Sequence, residues 1–251
     1  MINHNFIGNH KQRQLETLPY RARRTFMQFR KQPTTIALVA ALFFGILGTQ
    51  LVAFQATHPL TGRRIAGVMG VGGADWLERP ERETEENVEG ALDAIGLKKG
   101  MVVAEVGAGT GYVALRMAKR VGPMGLVYAN DLQPEMLTRL RSNAARLNLM
   151  NVETVLGSDN DPKLPAGRID LVILVDVYHE FSQPQKMLQG IRSALKPDGR
   201  LVQLEYRKED PAVPILPDHK MTVSEARKEV EAEGFKDRKS TRLNSSHLGI
   251  S

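Results

Sequence analysis

From residue 100 onward the chain alternates short, almost wholly apolar runs with longer amphipathic stretches. Apolar runs predict strands at 101–106, 125–130, 152–156, 170–175 and 201–206, and the 3.6-residue periodicity between them predicts helices at about 111–121, 134–147 and 184–195. Runs such as "LVILVDV" have no polar alternation, so both faces of their strand are buried. That pattern predicts an α/β domain, a doubly wound, mainly parallel sheet with helices on both faces. Ligands in such sheets sit beyond the carboxyl ends of the strands, where strand order reverses. A further helix is expected at about 83–95, preceded by "GADWLERPERE", and another begins at "TVSE", where Thr222 and Glu225 have capping-box spacing.

The segment 34–54, "TTIALVAALFFGILGTQLVAF", contains no charged residue. As a helix it is long enough to cross roughly 30 Å of hydrocarbon. It reads as a membrane anchor or a long signal peptide. Before it, Lys11, Arg13, Arg21, Arg23, Arg24, Arg30 and Lys31 face Glu16 alone, and this tail carries the chain's whole net charge of +6. The rest of the chain is balanced, which disfavours a nucleic-acid-binding domain. Basic residues ahead of the span predict a cytoplasmic N-terminus, with Arg63 and Arg64 opposing that orientation. A start at Met27 would instead give a short basic leader, but "AFQA" puts Phe54 where a cleavage site wants a small residue. An uncleaved anchor is therefore the expectation, with export after cleavage as the alternative. Absence of cysteine excludes disulfides and thiolate chemistry. The expected organisation is a basic tail at 1–33, an anchor at 34–56, a helical extension at 57–99, the α/β domain at 100–236 and a polar tail at 237–251.

The first strand leads into "VVAEVGAGTGYVAL", with Glu105 at its end and Gly107, Gly109 and Gly111 at alternate positions. Glycines there let the backbone turn and approach a ligand closely. Asp131, twenty residues beyond Gly111 and just past the second strand, can accept hydrogen bonds from two vicinal ribose hydroxyls. A dinucleotide fingerprint wants glycine where this chain has Tyr112, which counts against a nicotinamide oxidoreductase. His179 and Glu180 are adjacent and lack H-E-x-x-H spacing, so no metal is expected.

Over 58–235 the arrangement resembles the class I S-adenosylmethionine-dependent methyltransferases, which have a Rossmann-like sheet. "HPLTGRRIAGVMGVGGADWLERPERE" and "VDVYHEFSQP" look like a bacterial branch of small methyltransferases. The resemblance implies S-adenosyl-L-methionine as cofactor, its amino-acid part wrapped by Glu105, Gly107, Ala108, Gly109 and Gly111 and its ribose held by Asp131. Ser158 and Asp159 would flank the adenine, with Asp161 as a further candidate. "DVYHEF" would lie beside the transferable methyl. There Asp176 faces the cofactor, Tyr178 walls the acceptor pocket or packs, His179 takes a proton from a hydroxyl acceptor or bonds backbone, and Glu180 suits a helix dipole. His219 and Lys220 line the acceptor side or a solvated loop, and Trp76 lids the pocket or anchors packing.

The implied function is methyl transfer to a small-molecule acceptor, by an enzyme anchored in the bacterial inner membrane. A catalytically silent cofactor sensor or scaffold is the alternative. In that family two more strands complete a seven-stranded sheet, whereas "DRKSTRLNSSHLGIS" is polar, lacks strand alternation and resembles translated adapter or read-through sequence. The last two strands are therefore expected to be missing.

Overall fold

The computed structural model describes residues 56–237, 240–242 and 247–250. The strands are β1 (Val102–Val106), β2 (Leu126–Asp131), β3 (Val152–Leu156), β4 (Ile169–Val175), β5 (Leu195–Tyr206), β6 (Ser240–Arg242) and β7 (His247–Ile250). The helices are α1 (Ala74–Leu77), α2 (Arg82–Glu86), α3 (Val88–Ile95), α4 (Ala114–Val121), α5 (Pro134–Arg146), α6 (Pro184–Ala194) and α7 (Val223–Ala232). They surround a seven-stranded sheet of order β3-β2-β1-β4-β5-β7-β6. β1 to β5 are mutually parallel, and the order reverses between β1 and β4, each of which pairs with the other.

Alternation along each central strand feeds two cores. Val103, Leu171 and Ile173 pack with Leu92 of α3, Met117 of α4 and Leu140 of α5. Ala104, Val172 and Leu174 pack on the other face with Leu188 and Ile191 of α6 and Val230 of α7. Helices thus cover both faces, as buried parallel strands require. Thr222 caps α7 as expected: its Oγ1 accepts from Glu225 N at 3.0 Å, and its own N–H donates to Glu225 Oε2 at 2.9 Å.

Three expectations are corrected. The single helix at 83–95 is two, because Asn87 adopts φ 46° and its side chain accepts from Gly90 N to start α3. An amide that tolerates the left-handed region and caps the following turn ends one helix and begins another. β5 begins at Leu195 rather than Leu201, with a register jump opposite β4 between Ile169 and Leu171. The last two strands are present: β7 runs antiparallel to β5, from Gln203↔Ile250 to Tyr206↔His247, and β6 pairs antiparallel with β7. An open sheet edge is joined through backbone groups, so a polar sequence without alternation can extend it. Among the described residues no helix is long and apolar enough to cross a membrane. The segment 34–54 lies outside the described residues.

Candidate active site

The carboxyl ends of β1, β2 and β4 open into a cavity of about 370 Å³, within the ordinary range for small-molecule sites. Its floor is the glycine loop. Gly107 has φ +78°, and a Cβ there would stand 2.3 Å from Val177 Cγ2, so any side chain would be strained and in collision. Gly107 N and Ala108 N both donate to Asn130 O, at 2.9 and 2.8 Å, which ties the loop to the end of β2. Gly109 N donates to Asp131 Oδ2 at 2.8 Å and Gln133 N donates to Asp131 Oδ1 at 2.9 Å. Each oxygen keeps a further lone-pair direction for a ligand hydroxyl. Burial raises the Asp131 carboxyl above its ordinary range against the pull of these backbone donors.

Glu105 also lines the cavity, 3% exposed, and its Oε2 has no hydrogen-bond partner among the described residues. Burial pushes its carboxyl up to about 8, with the Arg82 guanidinium pulling the other way. Arg82 is buried on α2, where its Nε donates to both Glu86 oxygens at 2.7 Å. Its guanidinium lies 4.1 Å from the centroid of the Tyr112 ring. Tyr112, the residue that departs from the dinucleotide fingerprint, is thus a stacking surface for Arg82, with the Arg116 guanidinium also over its ring at 3.9 Å.

Ser158 and Asp159 line the cavity beyond β3. Asp161 is engaged elsewhere, its Oδ1 accepting from Lys163 N at 2.8 Å. Ala108, Asp176 and half-buried Trp76 line the cavity too, and the Arg79 guanidinium covers the Trp76 ring at 3.7 Å. Asp176, just past β4, has φ 49°, a left-handed conformation that turns the chain at the sheet's end. Gly111 closes the loop with φ +93°, its N–H donating to Ala108 O at 2.9 Å.

The stretch after β4 separates residues that the sequence placed together. Tyr178 is not a pocket wall: it is 0% exposed, edge-on to Phe181 at 5.5 Å, within the core under α6 and α7. The short 3₁₀ turn Tyr178–Glu180 sends successive side chains in different directions, so Tyr178 goes to the core while His179 and Glu180 reach the cavity. His179 is 2% exposed, with Nδ1 2.6 Å from Glu205 Oε2 and Nε2 3.1 Å from His219 Nδ1. Glu205 sits on β5, 0% exposed, its Oε1 accepting from Tyr178 N at 2.9 Å. Burial opposes a charged His179 ring, but the charge and hydrogen bond of Glu205 prevail and hold its pKa above the ordinary value. Glu180 Oε1 accepts from Met69 N at 3.3 Å, and burial pushes its carboxyl up to about 7. His219 lines the cavity, whereas Lys220 turns away and donates from Nζ to Val213 O.

Glu205 is the site residue that sequence reasoning missed. Its signal was a lone carboxylate in the apolar strand "LVQLEY", where an unpaired charge is too costly to bury. Arg82 was equally unmarked among the exposed charges of "ERPERE".

A model of a methyltransferase domain matches residues 97–241. The chain is 30% identical over 138 residues to nocamycin O-methyltransferase of Saccharothrix syringae, covering 55% of this chain and 47% of that protein. It is 27% identical over 118 residues to the ubiquinone/menaquinone biosynthesis C-methyltransferase of Escherichia fergusonii, covering 47% of each. It thus spans about half the length of these curated relatives. Among solved structures, a SAM-dependent methyltransferase from Aquifex aeolicus superposes with TM-score 0.69 at 28% identity, over 73% of this chain and 97% of that one. The glycine cradle, the buried Asp131 carboxyl and the unpartnered Glu105 oxygen fit S-adenosylmethionine, and with more than half of its length matched the chain belongs to the methyltransferase domain family.

Proposed function

We propose that this methyltransferase transfers a methyl group from S-adenosylmethionine to a small, largely apolar acceptor whose nucleophilic atom sits beside His179. The carrying observation is that one cavity joins the glycine cradle to a buried polar cluster. Glu105, Gly107, Ala108, Gly109 and Asp131 would hold the cofactor's amino-acid and ribose parts, Ser158 and Asp159 its adenine, and Asp176 the boundary with the acceptor, while Gly111, off the cavity and close against Leu115 and Leu140, would serve only the turn of the loop. When bound, that cofactor supplies an electrophilic methyl on a sulfonium. The protein's work is then alignment, exclusion of water and control of the acceptor's proton.

Val68, Ile215 and Leu216 give the acceptor end an apolar wall. Glu205 holds His179 by Nδ1 while Nε2 meets His219 Nδ1 at 3.1 Å, and this imidazole pair would govern the proton of a hydroxyl acceptor. His179→Ala should lower turnover roughly 100-fold or more, the scale of positioned proton transfer, with S-adenosylmethionine affinity within twofold of the parent. Formation of S-adenosylhomocysteine with a panel of small hydroxylated compounds measures the first, and calorimetry the second. Undiminished turnover would remove His179 from the reaction.

The apolar segment 34–54 supports a membrane tether, and with it a lipid-soluble or amphipathic acceptor. Removing residues 1–56 should then abolish activity on membrane-embedded acceptors while sparing soluble ones. Equal activity on both would deny the tether that role.

A further inference from the structure

The geometry points to a divalent transition-metal site at the acceptor end of the cavity, with His179 Nε2, His219 Nδ1 and a Glu180 carboxylate oxygen as ligands. The three ligand atoms lie within 4.8 Å of one another. The ring nitrogens are 3.1 Å apart, and Glu180 Oε1 is 4.0 Å from each ring. Two imidazole nitrogens bound at about 2.0–2.1 Å to a tetrahedral centre stand about 3.3 Å apart, so the pair needs to open by only a few tenths of an ångström. The carboxylate needs to close by roughly 0.7 Å to match that geometry. The 3.3 Å bond from Met69 N to Glu180 Oε1 would have to give way or follow for that closure.

The surroundings are those of a built ligand set. Glu205, fully buried and pinned by Tyr178 N, accepts from His179 Nδ1–H, which fixes the tautomer and leaves Nε2 as the ligating atom. Metal-bound histidines are oriented by a carboxylate in this way. Glu180 and Glu205 bring two carboxylates against two imidazoles, a charge that one divalent cation balances. With no cysteine in the chain the donors are nitrogen and oxygen, which suit zinc, cobalt or nickel rather than a thiophilic ion. H-E-x-x-H spacing does not arise because the ligands come from a 3₁₀ turn and from a loop after β5, 40 residues apart.

Three protein ligands leave a coordination position facing the cavity. With His179 Nε2 committed to the metal, an acceptor hydroxyl bound there would lose its O–H proton to solvent more readily, and the electron pair left on oxygen would form the O–CH3 bond as the sulfonium's S–CH3 bond breaks and its pair stays on the departing sulfur. That last role rests on the methyl-transfer reading, whereas metal binding does not.

The test is titration of zinc ion into the full chain after chelator treatment, followed by calorimetry, with cobalt absorption as a spectroscopic check. One strong site is expected. His219→Ala and Glu180→Gln should each weaken it roughly tenfold or more and alter the cobalt spectrum, with S-adenosylmethionine binding within twofold of the parent. His4, His10, His58 and His247 are the chain's other histidines, so zinc affinity unchanged in both variants would place the ion elsewhere and overturn the proposal. So would absence of zinc binding by a chain that binds S-adenosylmethionine. Zinc bound at this site without S-adenosylmethionine binding would instead overturn the methyl-transfer reading and leave the metal site standing.

Discussion

Glu105 is an acid that its surroundings keep protonated near neutrality, since burial raises its carboxyl from 4.5 to about 8. The folded state therefore binds a proton that the unfolded chain has released across that window. Its contribution to stability is complete below 4.5 and is lost as pH rises through about 8. Glu105→Gln, which cannot ionise, should gain stability relative to the parent as pH rises from 4.5 to 8, read as the difference between denaturant midpoints. A difference independent of pH would mean that Glu105 is ionised in the fold. At this scale the sequence was legible where chemistry depends on spacing: Asp131, twenty residues past Gly111, does meet the glycine loop, through Gly109 N. It was illegible where orientation decides, because nothing in "DVYHEF" says that Tyr178 turns into the core while His179 and Glu180 reach the cavity.

Among elements, the segment ahead of α1 is a strap that braces the site from behind. His58 N donates to Arg63 O at 2.7 Å and Ile65 N to Ala56 O at 2.8 Å, closing a small loop against α7. Arg63 donates from Nε and Nη2 to the two oxygens of Glu229 on α7, at 3.2 and 3.0 Å, and from Nη1 to His179 O at 3.2 Å. Both side chains are almost wholly buried. Arg63→Met takes the guanidinium from buried Glu229, leaving it the Thr61 hydroxyl and the His58 ring at 3.6 Å, and should cost about 3–5 kcal/mol, whereas Arg63→Met with Glu229→Leu should recover part of that loss. Chemical unfolding of both variants checks this. A double variant no more stable than the single one would show that the strap depends on packing rather than on the ion pair. Sequence periodicity located β1 to β5 because short apolar-rich runs between helical stretches have few alternatives, even where β3 carries Glu153 and Thr154 and β5 carries Gln203 and Glu205. It missed the break at Asn87 and the strands β6 and β7, since a left-handed cap and edge pairing both act through backbone groups and leave no apolar period.

For the whole molecule, what matters is that strand order reverses between β1 and β4, so that the loops after both strands diverge and leave room for a ligand. One side of that space carries the glycine cradle and Asp131, and the other the cluster of His179, Glu180, Glu205 and His219. The arrangement was legible from the order of the elements, whereas the polar cluster needed the fold, because β5 and the loop after it bring Glu205 and His219 to the turn after β4. The central claim is that the cradle binds S-adenosylmethionine through Asp131. Calorimetric titration of S-adenosylmethionine into the full chain, with NAD as control, tests it most directly. Saturable binding of S-adenosylmethionine alone is expected, weakened in Asp131→Ala by about 1–3 kcal/mol as ribose hydroxyls lose their acceptor. A folded chain that binds no S-adenosylmethionine, or binds it equally well without the Asp131 carboxylate, would contradict the account.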